Sequence, residues 1–383
     1  SIGKMYNEVT WYLGLKPWEH EYKVMGLAPY SSETHAKKTW KIFKNMVTFN
    51  KDGRKFKNST HRWAHTYGLF LRKELYKHRF DAIAYSIQRL TEEILTKWVE
   101  NNIKYYGIHD IMLSGGVFMN VKANQKIMEM ESVKSLFVVP SCSDESTAIG
   151  AAMLAYAYLC KQDGIKVNFS GIKDLYLGPD YNNKIENSIK KIDKRRYKVE
   201  YYDEVEDKVV DIIKRGGIVA RLSDRMEFGA RALGNRSILA DPSNLRIIRE
   251  INQQIKQRDF WMPFAPTILR ERVNDYIERN KEVDDQYMIL SFNTTNLARK
   301  EIIAALHQSD FTCRPQVLDK DWNVPYYRII KNFEEITGIG ALLNTSFNLH
   351  GEPIVCSPED AISTLERSGL KYLVLGNYLI TKS

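Results

Sequence analysis

The sequence predicts an α/β protein with two domains. A length of 383 residues exceeds what one ordinary hydrophobic core accommodates. Residues 110–159 have the order strand, Gly-Gly turn, helix, strand, polar turn and helix, which is typical of α/β crossovers. After a polar, charged stretch at about 161–205, an apolar strand at 217–222 begins a second α/β region.

Apolar periodicity predicts the elements of the first half. Ile2, Met5 and Val9 recur at helical spacing, and the apolar residues from Ile83 to Trp98 mark a long amphipathic helix. In chain order, the predicted elements are a helix at 1–15, a loop at 21–30, an irregular polar excursion at 31–80, the amphipathic helix, strands at 110–113 and 136–139, and helices at 117–131 and 147–159.

The second half is predicted in the same way. Its elements are a strand at 217–222, a helix near 243–257, an amphipathic segment at 267–279, a strand at 340–343, a helix at 358–366 and a final strand at 371–380. The polar stretch places the domain boundaries. We expect one domain at 1–165, a junction at 166–205 and a second domain at 206–383.

Composition excludes several classes of protein. No window approaches eighteen uninterrupted apolar residues, and the first residues lack the apolar core of a signal peptide, so we expect neither a membrane span nor export. The four cysteines are scattered, which argues against a disulfide framework or a zinc ribbon and favours the cytoplasm. The net charge of +9 comes from lysines spread along the chain, which favours a solvated surface over nucleic-acid binding.

The segment from Arg225 to Ser237 is the most informative part of the sequence. It carries three arginines, at 225, 231 and 236, after an apolar strand. Two glycines, Gly229 and Gly234, let its backbone turn and approach a ligand closely. Guanidinium groups match phosphate oxygens in pairs, so the segment predicts a polyanion site. A surface ion-pair network would also use arginines but would not need the glycines.

Two further segments suit phosphate. Lys256 and Arg258 precede a rigid Pro-rich turn at 261–266, although a solvated helix end would use the same residues. The polar cluster from Asn344 to Asn348 follows an apolar strand, and its side chains suit either a ligand or the local backbone.

The first domain offers weaker candidates. Gly115 and Gly116 with Asn120 fit a nucleotide-cradling turn or an ordinary tight turn. Asp144, in a Ser-rich turn before a helix, fits a helix cap or a metal ligand. The pair His61 and His65 has zinc-ligand spacing but no evident third ligand.

Five segments together resemble one family. They are 21–30, 113–120, 225–237, 263–266 and 344–353. In this order they are similar to the motifs of the O-carbamoyltransferases of the nodulation and antibiotic-tailoring type (the NodU/CmcH family). The resemblance implies a partial actin/hexokinase-like (ASKHA) transferase domain followed by a YrdC-like α/β domain.

The resemblance also implies a reaction. The YrdC-like domain would form carbamoyl-adenylate from carbamoyl phosphate and ATP, with Mg²⁺. The first domain would pass the carbamoyl group to a hydroxyl of a small molecule, with a divalent, iron-like transition metal. Sugar hydroxyls, aminoglycosides and cephem alcohols are all allowed as acceptors, and a homodimer is allowed as the assembly.

The resemblance assigns roles to individual residues. Arg231, Lys256 and Arg258 would be catalytic, because charge that develops on phosphates requires fixed cations. Residues expected to bind substrate or nucleotide are Arg225, Asn235, Arg236, Ser237, Ser346 and Asn348 in the second domain, and Gly115, Gly116, Asn120, Glu21 and Lys23 in the first. Asp144 occupies the position of a metal-binding aspartate.

Three departures from the family pattern matter. The family's histidine-rich metal motif belongs to the first half of the transferase domain, which we expect to lie outside this sequence. Met262 stands where many relatives have an arginine, which puts one phosphate contact in doubt. Ser31 follows Tyr30 where a glycine is usual, and this alters only a loop.

Two other functions remain open from the sequence. One is a threonylcarbamoyl-adenylate-type enzyme that acts on tRNA, although the domain order and the Arg225 segment favour the small-molecule family. The other is a nucleotide-binding or partner-docking module, or half of a split transferase, without activity of its own. The missing histidines motivate this last reading.

Overall fold

The chain divides into two compact units. The computed structural model describes residues 1–60, 62–63, 66–171 and 173–382. Unit 1 comprises Ser1–Asp144, Arg279–Asp284 and Ile289–Ser291, and unit 2 comprises Glu145–Glu278, Asp285–Met288 and Phe292–Ser383. The histidines His61 and His65 lie outside the described residues, so their zinc role stays a prediction.

Unit 1 is mainly helical. Its elements are α1 (Ile2–Tyr12), α2 (Glu21–Leu27), α3 (Glu33–Phe43), β1 (Val47–Phe49), β2 (Phe56–Asn58), α4 (Tyr67–Glu74), α5 (Phe80–Tyr106), β3 (Asp110–Leu113), α6 (Val121–Met128) and β4 (Ser135–Val138). The 27-residue α5 buries Ile83, Ile87 and Leu90 on one face. It ends at Gly107, whose left-handed backbone suits glycine. Strands β3 and β4 pair in parallel, as predicted for a crossover.

Two sequence predictions for unit 1 are wrong. The predicted loop at 21–30 is α2 followed by a 3-10 turn, and Val24 and Leu27 of α2 are buried. The predicted irregular excursion at 31–80 contains α3, the β1–β2 hairpin and α4. Helix α3 was missed because its buried face consists of Ala36, Thr39 and Phe43, of which only the last is a strong apolar signal.

Unit 2 is built on a mixed sheet. Its elements are α7 (Ser146–Gln162), α8 (Ile185–Ile189), β5 (Tyr197–Tyr201), α9 (Val205–Lys214), β6 (Val219–Leu222), β7 (Arg236–Ala240), α10 (Arg246–Glu250), β8 (Ala265–Leu269), α11 (Val273–Tyr276), α12 (Ala298–Glu301), β9 (Gln316–Leu318), α13 (Val324–Thr337), β10 (Ala341–Ser346), α14 (Pro358–Arg367), β11 (Tyr372–Leu375) and β12 (Tyr378–Lys382). The strand order is β5-β12-β11-β6-β7-β10-β8-β9. The pairs β6–β11 and β8–β9 are parallel, and the other neighbours are antiparallel.

Apolar side chains cover both faces of this sheet. On one face, α9 and α13 pack through residues such as Val209 and Phe333. On the other face, α10 and α14 pack through residues such as Ile247 and Leu365. Strand β7 between them is wholly buried, as expected for a central strand covered on both sides.

The structure refines the prediction for unit 2. The predicted helix near 243–257 is α10 followed by a π-helical turn at Ile251–Lys256. The segment at 267–279 begins as part of strand β8, and the final strand at 371–380 is the β11–β12 hairpin, which turns at Gly376. Helices α9 and α13 and strands β7 and β9 were not predicted.

Helix α7 is unusual because it is apolar and exposed. Residues 146–160 carry no charged side chain, and Leu154 and Tyr158 are 74% and 63% exposed. Helices that are apolar all round are normally covered. Among the described residues, no helix is both long and apolar enough to cross a bilayer.

The α/β class is therefore confirmed. The finer assignments, an actin/hexokinase-like (ASKHA) domain and a YrdC-like domain, stay predictions. So do the boundaries at 165 and 205, whereas the compact units divide after Asp144.

Candidate functional site

Segments distant in sequence meet at one edge of the unit 2 sheet. Strands β6 and β10 end there, because both run antiparallel to β7, which lies between them. Strands β7, β8 and β9 begin at the same edge, since Ala265 of β8 pairs with Asn344 of β10 and Gln316 of β9 pairs with Thr267 of β8. The residues that follow β6 and β10 or precede β8 and β9 are therefore brought together.

Lys256, Ser346 and Asn348 form one cluster at this edge. The Lys256 ammonium donates to the Ser346 carbonyl, to Ser346 Oγ at 2.9 Å and to Asn348 Oδ1 at 2.6 Å. Burial, and then the positive charge of Arg258, hold the pKa of Lys256 well below its usual value. The structure thus joins Lys256 to two residues that lie 90 and 92 positions further along the sequence.

Arg258 and Arg231 extend the positive charge. Arg258 Nε donates to Asn252 Oδ1 at 2.7 Å, and its guanidinium stacks 4.4 Å from the centre of the Phe264 ring. Arg231 lies on the loop between β6 and β7. The charges of Arg231 and Arg258 both act on Arg314.

Arg314 was not predicted from the sequence. Burial, followed by the charges of Arg231 and Arg258, holds the pKa of Arg314 well below its usual value. This residue precedes the three-residue strand β9, which the apolar pattern did not reveal. The one local signal was an arginine beside a proline, Pro315, and that pair alone predicts no site.

The four cations define a cluster suited to an anion. We call Arg231, Lys256, Arg258 and Arg314 the cation cluster. The charged groups that lower the pKa values of Lys256 and Arg314 are arginines. Gathering like charges at a partly desolvated edge is unfavourable unless an anion binds. Phosphate oxygens are the ligands that such guanidinium and ammonium groups bind best.

Other predicted residues of the Arg225–Ser237 segment bind the protein's own backbone. Arg236 is buried and donates to the carbonyls of Ser223, Asp224 and Cys356. Arg225 donates to the carbonyls of Leu177 and Gly178 at 3.0 and 3.1 Å. These contacts support a structural role for both side chains, and their expected binding of phosphate stays a prediction.

Asn235 and Ser237 likewise stabilise the loop. The Asn235 amide donates to the Arg225 carbonyl at 2.9 Å, and its Oδ1 accepts from Arg221 and Asn323. Ser237 Oγ accepts from the amide of Gly234 at 3.0 Å. Ligand contacts by Asn235 and Ser237 stay predictions.

Gly234 is required by geometry. Its φ is 115°, and a Cβ at this position would lie 2.3 Å from Cδ1 of Tyr326. The glycine therefore provides a close approach between the loop and helix α13.

In unit 1, the Gly115-Gly116 turn leads into α6. Gly115 has a φ of 108° and precedes a 3-10 turn at Gly116–Met119. Asn120 caps α6 through its Oδ1, which accepts from the amide of Ala123 at 3.0 Å. The same side chain exchanges two hydrogen bonds with Gln88. The capping role is structural, and a contact between Asn120 and an adenylate stays a prediction.

Glu21 and Lys23 lie on α2. Glu21 Oε1 accepts from Asn7 Nδ2 at 2.9 Å and from the amide of Trp18 at 2.8 Å. Lys23 is buried. Their predicted place beside the nucleotide is not tested by these contacts.

Asp144 has no cluster of metal-ligating side chains around it among the residues described, and its role as a metal ligand stays a prediction. Its side chain is exposed, and across the described ranges no three His, Cys, Asp or Glu side chains come together as metal ligands. It does not cap α7 either, because the residue at the cap position is Glu145. The binding of a transition metal and of Mg²⁺ stays a prediction.

The chain is an α/β protein, and unit 2 carries a cluster of cations whose chemistry suits phosphate-type ligands. Residues 1–153 match the family model described as carbamoyltransferase N-terminus, and residues 210–382 match carbamoyltransferase C-terminus. The chain therefore belongs to the carbamoyltransferase family, of the NodU/CmcH type. This membership makes it part of a transferase enzyme.

Named relatives and a solved structure are also similar. The nodulation protein NolO of Bradyrhizobium diazoefficiens is 30% identical, over 100% of this chain and 69% of its own. The 3'-hydroxymethylcephem-O-carbamoyltransferase of Amycolatopsis lactamdurans is 26% identical, over 70% of this chain and 48% of its own. The crystal structure of HypF from T. kodakarensis gives a TM-score of 0.32 at 17% identity, over 48% of this chain and 22% of that one. That likeness is too slight to define the fold.

This chain is shorter than its relatives. It spans 56–72% of the length of the curated relatives that it matches along its whole length.

Proposed function

We propose that unit 2 binds carbamoyl phosphate and ATP and forms carbamoyl-adenylate, and that the enzyme passes the carbamoyl group to a hydroxyl of a small molecule. The cation cluster carries this proposal. Both substrates bring phosphate groups, and membership of the carbamoyltransferase family supports a carbamoyl donor.

The chemistry balances with one water. Water splits carbamoyl phosphate into carbamate and phosphate. A carbamate oxygen then attacks the α-phosphorus of ATP, which forms carbamoyl-adenylate and releases pyrophosphate. In the transfer step the acceptor oxygen attacks the carbamoyl carbon, AMP leaves, and the hydroxyl proton is lost to solvent.

Each cation has a defined task in this scheme. Arg231, Arg258 and Arg314 would neutralise phosphate oxygens as negative charge moves towards the leaving pyrophosphate. Lys256 would hold a proton at Nζ and place its positive charge beside the carbamoyl phosphate. Ser346 and Asn348 keep that nitrogen in place. Bound Mg²⁺ would add charge neutralisation on ATP.

The acceptor is proposed as a class. The name of the Amycolatopsis relative specifies a hydroxymethyl acceptor for that protein. This name supports a small-molecule hydroxyl here, and the cation cluster has no feature that selects among sugars, aminoglycosides and cephems.

The test is pyrophosphate release from ATP that depends on carbamoyl phosphate. We expect release by the 383-residue chain, and a loss of at least about 100-fold in Arg231→Ala and Lys256→Ala, since each removes one preorganised charge. The control is Arg195→Ala, because Arg195 is exposed and pairs only locally, with Asp193. This control should keep full release.

Other results would redirect the proposal. Release that survives both substitutions would overturn the role of the cation cluster. Nucleotide binding without release would favour a binding module or half of a split transferase. Strong tRNA binding with a steep salt dependence would favour the tRNA-modifying alternative.

A further inference from the structure

The backbone of the loop that carries Arg231 is held by buried side chains on two sides. On the amide side, the Glu227 carboxylate is buried, and its Oε1 accepts three hydrogen bonds. They come from the amides of Leu233, Asn235 and Arg236 at 2.7, 2.8 and 3.1 Å. A carboxylate with three amide donors is a strong local anchor.

On the carbonyl side, three consecutive carbonyls of the loop each accept from a different part of the sheet. Asn344 Nδ2 donates to the Ala232 carbonyl at 3.2 Å. Gln316 Nε2 donates to the Leu233 carbonyl at 3.0 Å. Arg221 Nη1 donates to the Gly234 carbonyl at 2.6 Å.

Two of the holding side chains, Asn344 and Gln316, are close in sequence to residues of the site. Asn344 lies two residues before Ser346 on β10, and Gln316 lies two residues after Arg314. Asn344 and Ser346 share a face of the sheet, because they are two residues apart on the same strand. Thr267 connects the side chains of Gln316 and Asn344, since its hydroxyl donates to Gln316 Oε1 at 2.9 Å and accepts from Asn344 Nδ2 at 3.1 Å.

We propose that Glu227 and Asn344 are positioning residues, which fix the backbone that follows Arg231 so that its guanidinium completes the cation cluster. Asn344 acts through the carbonyl of Ala232, the residue next to Arg231. This inference rests on the proposed function, because it assigns the two residues to the binding of carbamoyl phosphate.

The assignment gives the Asn344–Asn348 segment two separate tasks. Ser346 and Asn348 bind Lys256 directly. Asn344, buried beneath them, instead sets the loop across the sheet edge. One short segment thereby controls the positions of both Lys256 and Arg231.

The test is a double-mutant cycle on the dissociation constant of carbamoyl phosphate, measured by calorimetry. The variants are Asn344→Leu, similar in volume but without the donor, Glu227→Gln, Arg231→Ala and the combinations with Arg231→Ala. We expect Asn344→Leu to weaken binding about 10- to 100-fold, as a displaced binding group does. Glu227→Gln, which keeps an oxygen acceptor for the three amides, should weaken it by less than about 10-fold. In the Arg231→Ala background, Asn344→Leu should add less than about threefold.

A purely structural role would give a different pattern. Tyr276→Phe is the control, because the Tyr276 hydroxyl makes buried contacts with Glu301 and Gly340, away from the loop. It should lower the free energy of unfolding without changing the dissociation constant. If the effects of Asn344→Leu and Arg231→Ala multiply fully, the positioning role is wrong.

Failure of the proposed function gives a separate result. If the wild-type chain binds no carbamoyl phosphate, both the proposed function and this inference fail. If it binds and the cycle is additive, only the positioning role fails. Should Asn344→Leu not fold, Glu227→Gln in the two backgrounds decides the question through the same additivity.

Discussion

At the residue scale, the central feature is a buried lysine beside arginines. Most buried ammonium groups are paired with a carboxylate, whereas Lys256 is held by a carbonyl, a hydroxyl and an amide oxygen. Burial and Arg258 lower its pKa, so the protonated form is less favourable in the folded state than in the unfolded chain. A bound anion would offset part of the free-energy cost of keeping Lys256 protonated in the folded state.

Lys256 should make anion binding depend on pH. As pH rises through its lowered pKa, the ammonium loses its proton and the attraction for an anion falls. We expect sulfate, whose charge is constant, to bind more weakly as pH rises while free lysine, with a pKa of about 10.4, is still protonated. Lys256→Met should abolish this trend, and the exposed Lys190→Met should keep it. The measurement is the sulfate dissociation constant against pH.

The lowered pKa of Lys256 also determines how the stability of the fold changes with pH. Because the folded-state pKa lies below the unfolded value, the unfolded chain binds more protons between the two values, and Lys256 destabilises the fold most at lower pH. The contribution of Lys256 to the free energy of unfolding therefore becomes more favourable as pH rises across that window.

The outcome that would contradict the sulfate prediction is an equal pH trend in sulfate binding by Lys256→Met. It would show that another group is responsible.

At the element scale, sequence predicted the segments whose apolar pattern is strong. Helix α5 and strands β6 and β10 follow directly from their apolar residues. Helix α3 was missed because alanine and threonine form most of its buried face. The end of the chain was predicted as one strand because only two residues, Gly376 and Asn377, interrupt its apolar pattern.

The site was predictable to the same extent. Lys256, Ser346 and Asn348 were each named from the resemblance, and the structure brings these three together. Arg314 was not, because its proximity to Arg231 depends on the order of β8, β9 and β10 in the sheet. Strand order is a long-range property that local patterns do not contain. Whether these residues act in catalysis stays a prediction.

The π-helical turn that ends at Lys256 is followed by a residue with a strained backbone. Gln257 has a φ of 47°, in the left-handed region, between Lys256 and Arg258. A non-glycine side chain at this φ costs about 1–2 kcal/mol, which glycine would relieve. Glycine also raises the conformational entropy of the unfolded chain, which offsets part of this stabilisation. We expect Gln257→Gly to raise the free energy of unfolding by about 0.5–1 kcal/mol. Urea unfolding measures this change.

A matched substitution gives the opposite sign. Gln253 is exposed within the same helical turn, at a position with helical geometry. Gln253→Gly should lower the free energy of unfolding by about 1 kcal/mol, since glycine is unfavourable within a helix. A loss of stability in Gln257→Gly as well would show that the left-handed backbone is not strained.

At the scale of the whole molecule, net charge and exposed apolar surface have opposite effects on self-association. A net charge of +9 opposes self-association of the chain. Helix α7, however, exposes large apolar side chains along most of its 17 residues. Contiguous apolar surface of this kind favours association when a second surface is available to cover it.

We therefore expect the 383-residue chain to associate through α7 as its concentration rises. Raised ionic strength should strengthen this association, because salt screens the repulsion between positive chains and leaves apolar contacts in place. The double variant Leu154→Glu and Tyr158→Lys should stay monomeric, since it adds charge at two of the most exposed positions on α7. The control is Leu69→Glu, at a 71% exposed position on α4, which should associate like the wild type. Sedimentation velocity at several concentrations distinguishes these outcomes, and a wild-type chain that stays monomeric throughout would contradict the expectation.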